Sequence, residues 1–269
     1  MSVAVEKYER RADAANSLLC VGLDSDFGRL PAHFRSEPLP QFAFNRWIIE
    51  QTHACVSAYK PNIAFYEARG EEGIKALGET MAYLQAHHPD ILTICDAKRA
   101  DIGSTNQGYV AAIFDRLGFD AVTLNPYLGR EALAPFLERK DKACIILCRT
   151  SNAGAGEFQD LVVGGRPLWY VIAQRVSAEW NVHGNCMLVA GATYPDELAR
   201  IRALVGEMTL LVPGVGAQGG AIARTVRAGL NAQRKGMIVN ASRSVIFAAD
   251  PAEAARTLRD AINRYRGGR

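Results

Sequence analysis

The stretch Ile91-Leu92-Thr93-Ile94-Cys95-Asp96-Ala97-Lys98 joins an apolar run to a charged end. Its apolar part, residues 91–95, is typical of a buried strand. Side chains alternate along a strand, so we expect Asp96 and Lys98 on one face at its end and Asp101 in the loop beyond. This placement predicts that the two carboxylates and the ammonium group lie close together. An isolated Asp-x-Lys pair is most often a solvated surface ion pair. The meaning of this one therefore depends on the rest of the chain.

Seven further short apolar runs alternate with helical segments along the chain. Together with residues 91–95, the predicted strands are residues 18–23, 56–59, 121–124, 143–148, 186–190, 209–213 and 236–240. The predicted helices cover residues 3–16, 44–55, 74–84, 109–117, 131–138, 168–180 and 195–204, then one through 227 and one from near Pro251. This alternation predicts a parallel (β/α)8 TIM barrel that forms one domain over residues 1–269. A doubly wound open sheet is the alternative.

Composition and charge narrow the class of protein. Apolar residues make up 49% of the chain and charged residues 22%, which excludes extensive disorder. The net charge of +3 and the lack of a basic stripe give no support for nucleic-acid binding. The charged N-terminus is not typical of a signal peptide, and no apolar run approaches a membrane span. Five of the six cysteines lie inside or at the end of apolar runs, which predicts buried thiols in a reducing cytoplasm. No Cys-x-x-Cys motif or Cys/His cluster predicts a metal site.

Charged and polar residues collect at the ends of the predicted strands, which converge on one mouth in a barrel. These residues are Asp24, Lys60, Asp96 with Lys98, Asn125, Ser151, the glycines after Pro213, and Ser242 with Arg243. Charges in such a mouth are costly unless they neutralise one another. The alternating acids and lysines therefore indicate a functional site. Carboxylates beside Lys98 favour its ammonium form, which suits a general acid.

The segment Gly214-Val215-Gly216-Ala217-Gln218-Gly219 matches the dinucleotide fingerprint Gly-x-Gly-x-x-Gly. A dinucleotide site also needs an acid at the end of the next strand, but that strand ends Val239-Asn240-Ala241. Barrels instead bind phosphate with the loops after strands seven and eight. The phosphate-binding candidates are therefore Gly216, Gln218, Ser242 and Arg243. Glycines that serve only a tight turn are the alternative.

In these residues the chain resembles the orotidine 5′-monophosphate decarboxylase family. The Asp-x-Lys-x-x-Asp motif is present as Asp96, Lys98 and Asp101, followed by Ile102-Gly103-Ser104-Thr105. The resemblance covers nearly the whole chain and extends to Asp24, Lys60, Ser151, Pro213, Gln218 and Arg243. The segment Cys-Arg-Thr-Ser-Asn after the fifth strand is similar to a bacterial subgroup that includes mycobacterial enzymes. Ala100 and Ala153 replace the Gly and Pro expected in that subgroup, and neither change removes a functional group.

The resemblance implies a reaction. It is the decarboxylation of orotidine 5′-monophosphate to uridine 5′-monophosphate and carbon dioxide, a step of de novo pyrimidine biosynthesis that uses no metal or cofactor. The implied catalytic residues are Lys60, Asp96, Lys98 and Asp101. Lys98 is the implied proton donor to carbon 6, and its ammonium group would stabilise the developing anion. Asp96 would face the substrate carboxylate and hold Lys98 in place.

Substrate contacts and a partner follow from the same resemblance. Asp24 and Lys60 are implied to bind the ribose hydroxyls and Ser151 the pyrimidine amide. Pro213 is implied to contact the substrate, and Gln218 and Arg243 to bind its phosphate. Asp101, Ile102 and Thr105 are implied to reach into the partner subunit's site. The expected assembly is therefore a homodimer with shared active sites.

Two other functions remain open. 3-Keto-gulonate 6-phosphate decarboxylases and hexulose phosphate synthases share the motif and the barrel, but they use magnesium and carry a carboxylate where this chain has Lys60. The second is a noncatalytic protein that binds a phosphorylated ligand on the same barrel. Such a protein is expected to lack one or more of the charged residues, and all of them are present here.

Overall fold

Eight parallel strands form a closed barrel in the computed structural model, which describes residues 2–215 and 219–267. The strands are β1 (Leu19–Val21), β2 (Ala58–Tyr59), β3 (Leu92–Arg99), β4 (Ala121–Leu124), β5 (Ala143–Arg149), β6 (Cys186–Ala190), β7 (Leu210–Pro213) and β8 (Met237–Ala241). They pair in chain order, and β8 pairs with β1 to close the ring. The closed ring confirms the predicted barrel and excludes the open doubly wound sheet.

Helices surround the barrel. In the described residues they span Val3–Ala14, Ala32–Arg35, Pro40–Thr52, Ala64–Glu67, Gly70–His87, Gly103–Val110, Gly129–Leu137, Gly156–Gln159, Leu168–Arg175, Pro195–Val205, Gly219–Gly229, Arg243–Ile246 and Pro251–Arg266. Two of them continue as π-helical turns over Ala111–Arg116 and Val176–Trp180. Short 3-10 turns occupy Phe27–Arg29, His53–Cys55 and Ala153–Ala155. No helix within residues 2–215 and 219–267 has the length and apolar character needed to span a membrane.

The strands are buried on both faces. Every residue of β1, β4, β6 and β8 is buried, because side chains fill the barrel inside and helices cover it outside. The helices are amphipathic: Pro251–Arg266 buries Ala255, Leu258 and Ile262 at spacings of three and four. Burying each such leucine or isoleucine stabilises the fold by about 1.5–3 kcal/mol. This core fixes the strand ends that carry the charged residues.

Most predicted elements have the expected bounds within two or three residues, and β4 and β6 match them fully. The bounds of β3 were wrong. It does not end at residue 95 but continues to Arg99, because Asp96 bridges to Asn62 of the preceding loop and Arg99 pairs with Leu124. The next helix begins at Gly103 instead of residue 109. A short hairpin, Val162–Val163 with Arg166–Pro167, was not predicted. The single-domain bounds 1–269 stay a prediction.

Candidate active site

A cavity of about 450 Å³ opens at the carboxyl ends of the barrel strands. Its lining residues are Lys60, Asp96, Lys98, Thr123, Leu147, Thr150, Ser151, Asn152, Gln159, Val189, Leu211 and Pro213. They come from six of the eight strands or from the loops that follow them. Lys60, Asp96 and Lys98 lie next to one another and to Thr123. Four apolar residues also line the cavity: Leu147, Val189, Leu211 and Pro213. Apolar walls with a few polar groups are typical of a small-molecule site.

Two lysines share one carboxylate at the base of this cavity. Lys60 Nζ lies 2.7 Å from Asp96 Oδ2, and Lys98 Nζ lies 2.6 Å from Asp96 Oδ1. Lys60 is almost fully buried, whereas the side chain of Lys98 is 49% exposed. The predicted pairing of Asp96 and Lys98 on one face is therefore confirmed. In this array of Lys60, Asp96 and Lys98, the side chain of Lys98 remains in contact with solvent.

An irregularity in the strand aims Lys98 at the cavity. The register between β3 and β4 shifts after Cys95, since the next ladder pair joins Arg99 to Leu124. Within this bulge Lys98 has a φ of 49°, a left-handed conformation that is uncommon for residues other than glycine. Bulges re-aim side chains beside active sites. Strain at such a position is a reason to expect function there.

Asp96 and Lys60 keep their charges although both are buried. Burial alone would raise the pKa of Asp96, but the ammonium groups of Lys60 and Lys98 lower it well below its ordinary value. Burial alone would lower the pKa of Lys60, but Asp96 and then Asp24 hold it above its ordinary value. At neutral pH Asp96 is therefore a carboxylate anion and Lys60 an ammonium cation.

Asp24 lies beside this array with an unused acceptor. Its Oδ1 atom is buried and accepts no hydrogen bond from the described residues. A buried carboxylate oxygen without a donor is costly, so the site calls for a donor from a ligand. Gly22 makes room here, because a Cβ atom on it would lie 1.9 Å from Ser242 Oγ and 3.4 Å from Asp24 Oδ1. Asp24 and Ser242 therefore face a common point.

Ser151 lines the same cavity and lies against two glycines. A Cβ atom on Gly191 would lie 2.9 Å from the Cβ of Ser151. Gly214 has a φ of 86°, and a Cβ atom there would lie 3.5 Å from Ser151 Oγ. The loop after β6 can approach Ser151 this closely because Gly191 has no side chain, whereas Gly214 is favoured by its left-handed φ and not by lack of space.

A buried arginine anchors the loop that carries Ser151. Arg149 pairs with Glu197 and lies 3.3 Å from Asp160. Thr150 donates its N–H to Gln159 Oε1 at 3.0 Å, and Gln159 Nε2 donates to Thr150 Oγ1 at 2.8 Å. These contacts hold both ends of the loop segment against the barrel.

The remaining predicted residues lie outside this cavity or outside the described chain. Asp101 accepts a hydrogen bond from the N–H of Ile102 and forms no ion pair among the described residues. The predicted grouping of its carboxylate with Lys98 is therefore absent within one subunit. Thr105 and Arg243 are exposed. Gly216 and Gln218 lie outside the described residues.

Sequence patterns did not identify several residues of this site, and three of them are polar or charged side chains with a clear role in its structure. Thr123, Arg149 and Gln159 line or support the cavity, yet none belongs to the charged motif. Thr123 in a strand indicates only β propensity. Arg149 has a stronger signal, since an arginine at the end of an apolar strand needs a partner.

The fold and this site have known relatives. Residues 17–258 match the model of the "Orotidine 5'-phosphate decarboxylase / HUMPS family". The chain belongs to that family. An orotidine 5′-phosphate decarboxylase of Janthinobacterium sp. (strain Marseille) is 46% identical over 269 residues, covering 97% of this chain and 98% of that protein. One from Herpetosiphon aurantiacus is 49% identical over 262 residues, covering 96% of each.

Solved structures of the family agree with the barrel. Leishmania donovani OMP decarboxylase has a TM-score of 0.89 and 40% identity, and the match covers 100% of both chains. Leishmania donovani UMP synthase also has a TM-score of 0.89, at 41% identity, and the match covers 98% of this chain but 56% of that one.

The donor set of the cavity does not fit a divalent cation. Asp96 is the one carboxylate among the lining residues, and both of its oxygens already bind ammonium groups. Mg²⁺ sites use one or more carboxylates that are free to coordinate. Within residues 2–215 and 219–267 no group of three or more His, Cys, Asp or Glu side chains is placed to hold a metal ion.

Proposed function

We propose that this chain decarboxylates orotidine 5′-monophosphate to uridine 5′-monophosphate and carbon dioxide in de novo pyrimidine biosynthesis. Family membership and the names of relatives at 46–49% identity support this substrate. The observation that carries the proposal is the Lys60–Asp96–Lys98 array at the base of the cavity. The magnesium-dependent activities of 3-keto-gulonate 6-phosphate decarboxylases and hexulose phosphate synthases are disfavoured. Those enzymes carry a carboxylate at the position of Lys60, and Lys60 binds Asp96 here.

The array suggests how the bond to the carboxylate breaks. The substrate carboxylate would lie against Asp96, and carbon dioxide would leave with the electron pair remaining on carbon 6. The ammonium of Lys98 is preorganised beside that carbon and stabilises the anion without reorganising solvent. Lys98 then transfers a proton to carbon 6 and becomes a neutral amine. Its half-exposed side chain regains the proton from water.

The other contacts follow from the placement of the strand ends. Asp24, whose Oδ1 accepts no hydrogen bond from the described residues, and Lys60 bind the ribose hydroxyls. Ser151 binds the pyrimidine amide, and Pro213 lines the same cavity. The proposed phosphate ligands are Gly216, Gln218, Ser242 and Arg243. Phosphate binding far from carbon 6 contributes binding energy that raises the rate of the chemical step.

We further propose a homodimer in which Asp101, Ile102 and Thr105 complete the partner's site. Ile102 directly follows the motif and is 61% exposed, so its side chain is free to contact a partner subunit. Asp101 forms no ion pair with the residues of its own subunit that the structure describes, and the partner's array would supply a cation. The protein acts on a small nucleotide, not on nucleic acid or a membrane. Its six buried thiols suit the reducing cytoplasm.

One assay tests this function. Purified, chelator-treated protein is mixed with orotidine 5′-monophosphate, and the absorbance of the substrate is followed. We expect the absorbance to fall without added metal, with one carbon dioxide released for each uridine 5′-monophosphate formed. Activity that disappears with chelator and returns with magnesium would contradict the proposal. So would turnover of a 3-keto sugar phosphate in place of the nucleotide.

A further inference from the structure

Thr123 makes two hydrogen bonds that join the parts of the array. It lies on β4, is 1% exposed and lines the cavity. Its Oγ1 accepts the backbone N–H of Lys98 at 2.9 Å. The same hydroxyl donates to Asp96 Oδ1 at 2.9 Å. One side chain therefore contacts both the backbone of the lysine and the carboxylate that binds its ammonium.

The bulge in β3 creates the need for this hydroxyl. Where the register shifts between Cys95 and Arg99, the N–H of Lys98 points to a side chain and not to a strand carbonyl. Buried backbone N–H groups are almost always paired, because leaving one unpaired is costly. Thr123 supplies the missing acceptor. It thereby supports the left-handed conformation of Lys98, whose φ is 49°.

The direction of both hydrogen bonds is fixed by chemistry. A backbone N–H can only donate, and an ionised carboxylate can only accept. A hydroxyl has one proton and two lone pairs, so it can serve both at once. A valine has the same shape as threonine but can serve neither. The arrangement therefore depends on the hydroxyl and not on the volume of the side chain.

Asp96 Oδ1 receives the Thr123 hydroxyl and the Lys98 ammonium together. Lys98 is thus held at two points, through its own N–H and through the carboxylate that faces its Nζ. We propose that Thr123 is a positioning residue for the proposed proton donor, acting through Lys98 and Asp96. This inference rests on the proposed function, because Lys98 is a proton donor only if the protein decarboxylates orotidine 5′-monophosphate.

Isosteric variants separate the hydroxyl from packing. Thr123→Val is expected to lower kcat about 10- to 100-fold, the loss that follows removal of a hydrogen bond to a charged group. KM should change by less than about threefold, because binding groups elsewhere are untouched. Thr123→Ser keeps the hydroxyl and should recover most of kcat.

Thr93 offers a matched control at the other end of β3. Its buried hydroxyl accepts the N–H of Asp120 at 3.1 Å and donates to Asp120 Oδ2 at 2.9 Å, which is the same pattern far from the cavity. Thr93→Val should therefore lose stability to a similar extent while kcat stays unchanged. Denaturant unfolding of each variant measures that loss.

The outcomes are distinguishable. An inactive wild-type protein would refute the proposed function. An active wild type with a Thr123→Val variant whose kcat is within about twofold of it would refute the role of Thr123 alone. A Thr123→Ser variant as slow as Thr123→Val, or a loss confined to KM, would also overturn it. If Thr123→Val does not fold, Thr123→Ala is measured against Thr123→Ser by the same criteria.

Discussion

Replacing Asp96 with asparagine removes the anion that two ammonium groups share. Lys60 Nζ lies 2.7 Å from Asp96 Oδ2, and the side chain of Lys60 is only 4% exposed, so water cannot take over from the lost carboxylate. Lys98 lies 2.6 Å from Oδ1 but is 49% exposed, and solvent screens that pair. The cost of the substitution therefore comes chiefly from Lys60.

The expected magnitude follows from this difference in exposure. Removing one partner of a buried ion pair costs about 3–5 kcal/mol, whereas a screened pair contributes at most about 1 kcal/mol. We expect Asp96→Asn to lower the free energy of unfolding by about 3–5 kcal/mol at neutral pH. Adding Lys60→Met removes the unpaired charge, so the double variant should be more stable than Asp96→Asn alone.

Urea unfolding of the wild type, both single variants and the double variant measures this coupling. The two single losses should sum to more than the loss in the double variant, because the lysine and the carboxylate depend on each other. Additive losses would refute the reasoning, since they would mean that Lys60 and Asp96 do not stabilise each other's charge. An Asp96→Asn variant whose free energy of unfolding falls by less than about 1 kcal/mol would also refute the reasoning.

Three further predictions concern the phosphate, the dimer and pH. Arg243→Ala should weaken binding of the nucleotide about 10- to 100-fold and leave the nucleoside unaffected in a competition assay; equal effects on both ligands would refute the phosphate role. Two inactive variants, Lys98→Ala and Asp101→Ala, should regain activity when mixed, since one hybrid site carries neither change; no recovery despite verified subunit exchange would count against shared sites. The folded-state pKa of Asp96 is lowered, so its contribution to stability is complete above the unfolded pKa of about 3.9 and is lost as pH falls further. The difference in unfolding free energy between wild type and Asp96→Asn should therefore stay constant from about pH 5 to 8 and shrink below about pH 4; a difference that grows in acid would contradict it.

The barrel was predictable because its strands are buried on both faces. Such strands are short continuous apolar runs, and turn residues such as Asn125-Pro126 mark where they end. The end of β3 was not predictable in this way. Charged residues end the apolar run at Cys95, while backbone pairing continues to Arg99. The apolar pattern of a sequence indicates which residues are buried, but it does not indicate which backbone groups form hydrogen bonds between strands.

The charged members of the site were predictable for a different reason. The carboxyl ends of the parallel strands all lie at one end of a barrel. The proximity of Lys60 and Asp96 could therefore be predicted from the sequence alone. The positive φ of Lys98 and the two hydrogen bonds of Thr123 could not be predicted. Both depend on a register shift between neighbouring strands, and a shift of this kind leaves no residue pattern. The phosphate contacts of Gly216 and Gln218 stay predictions.

The central claim is that Lys98 donates the proton to carbon 6. Its most direct test is the rate of carbon dioxide release from orotidine 5′-monophosphate by Lys98→Ala, with binding of uridine 5′-monophosphate measured by calorimetry. The exposed Lys75, on the helix Gly70–His87, provides the control variant Lys75→Ala. The account predicts a rate at least about a thousandfold lower for Lys98→Ala, with product binding retained and the control fully active. Near-normal turnover by Lys98→Ala would contradict it.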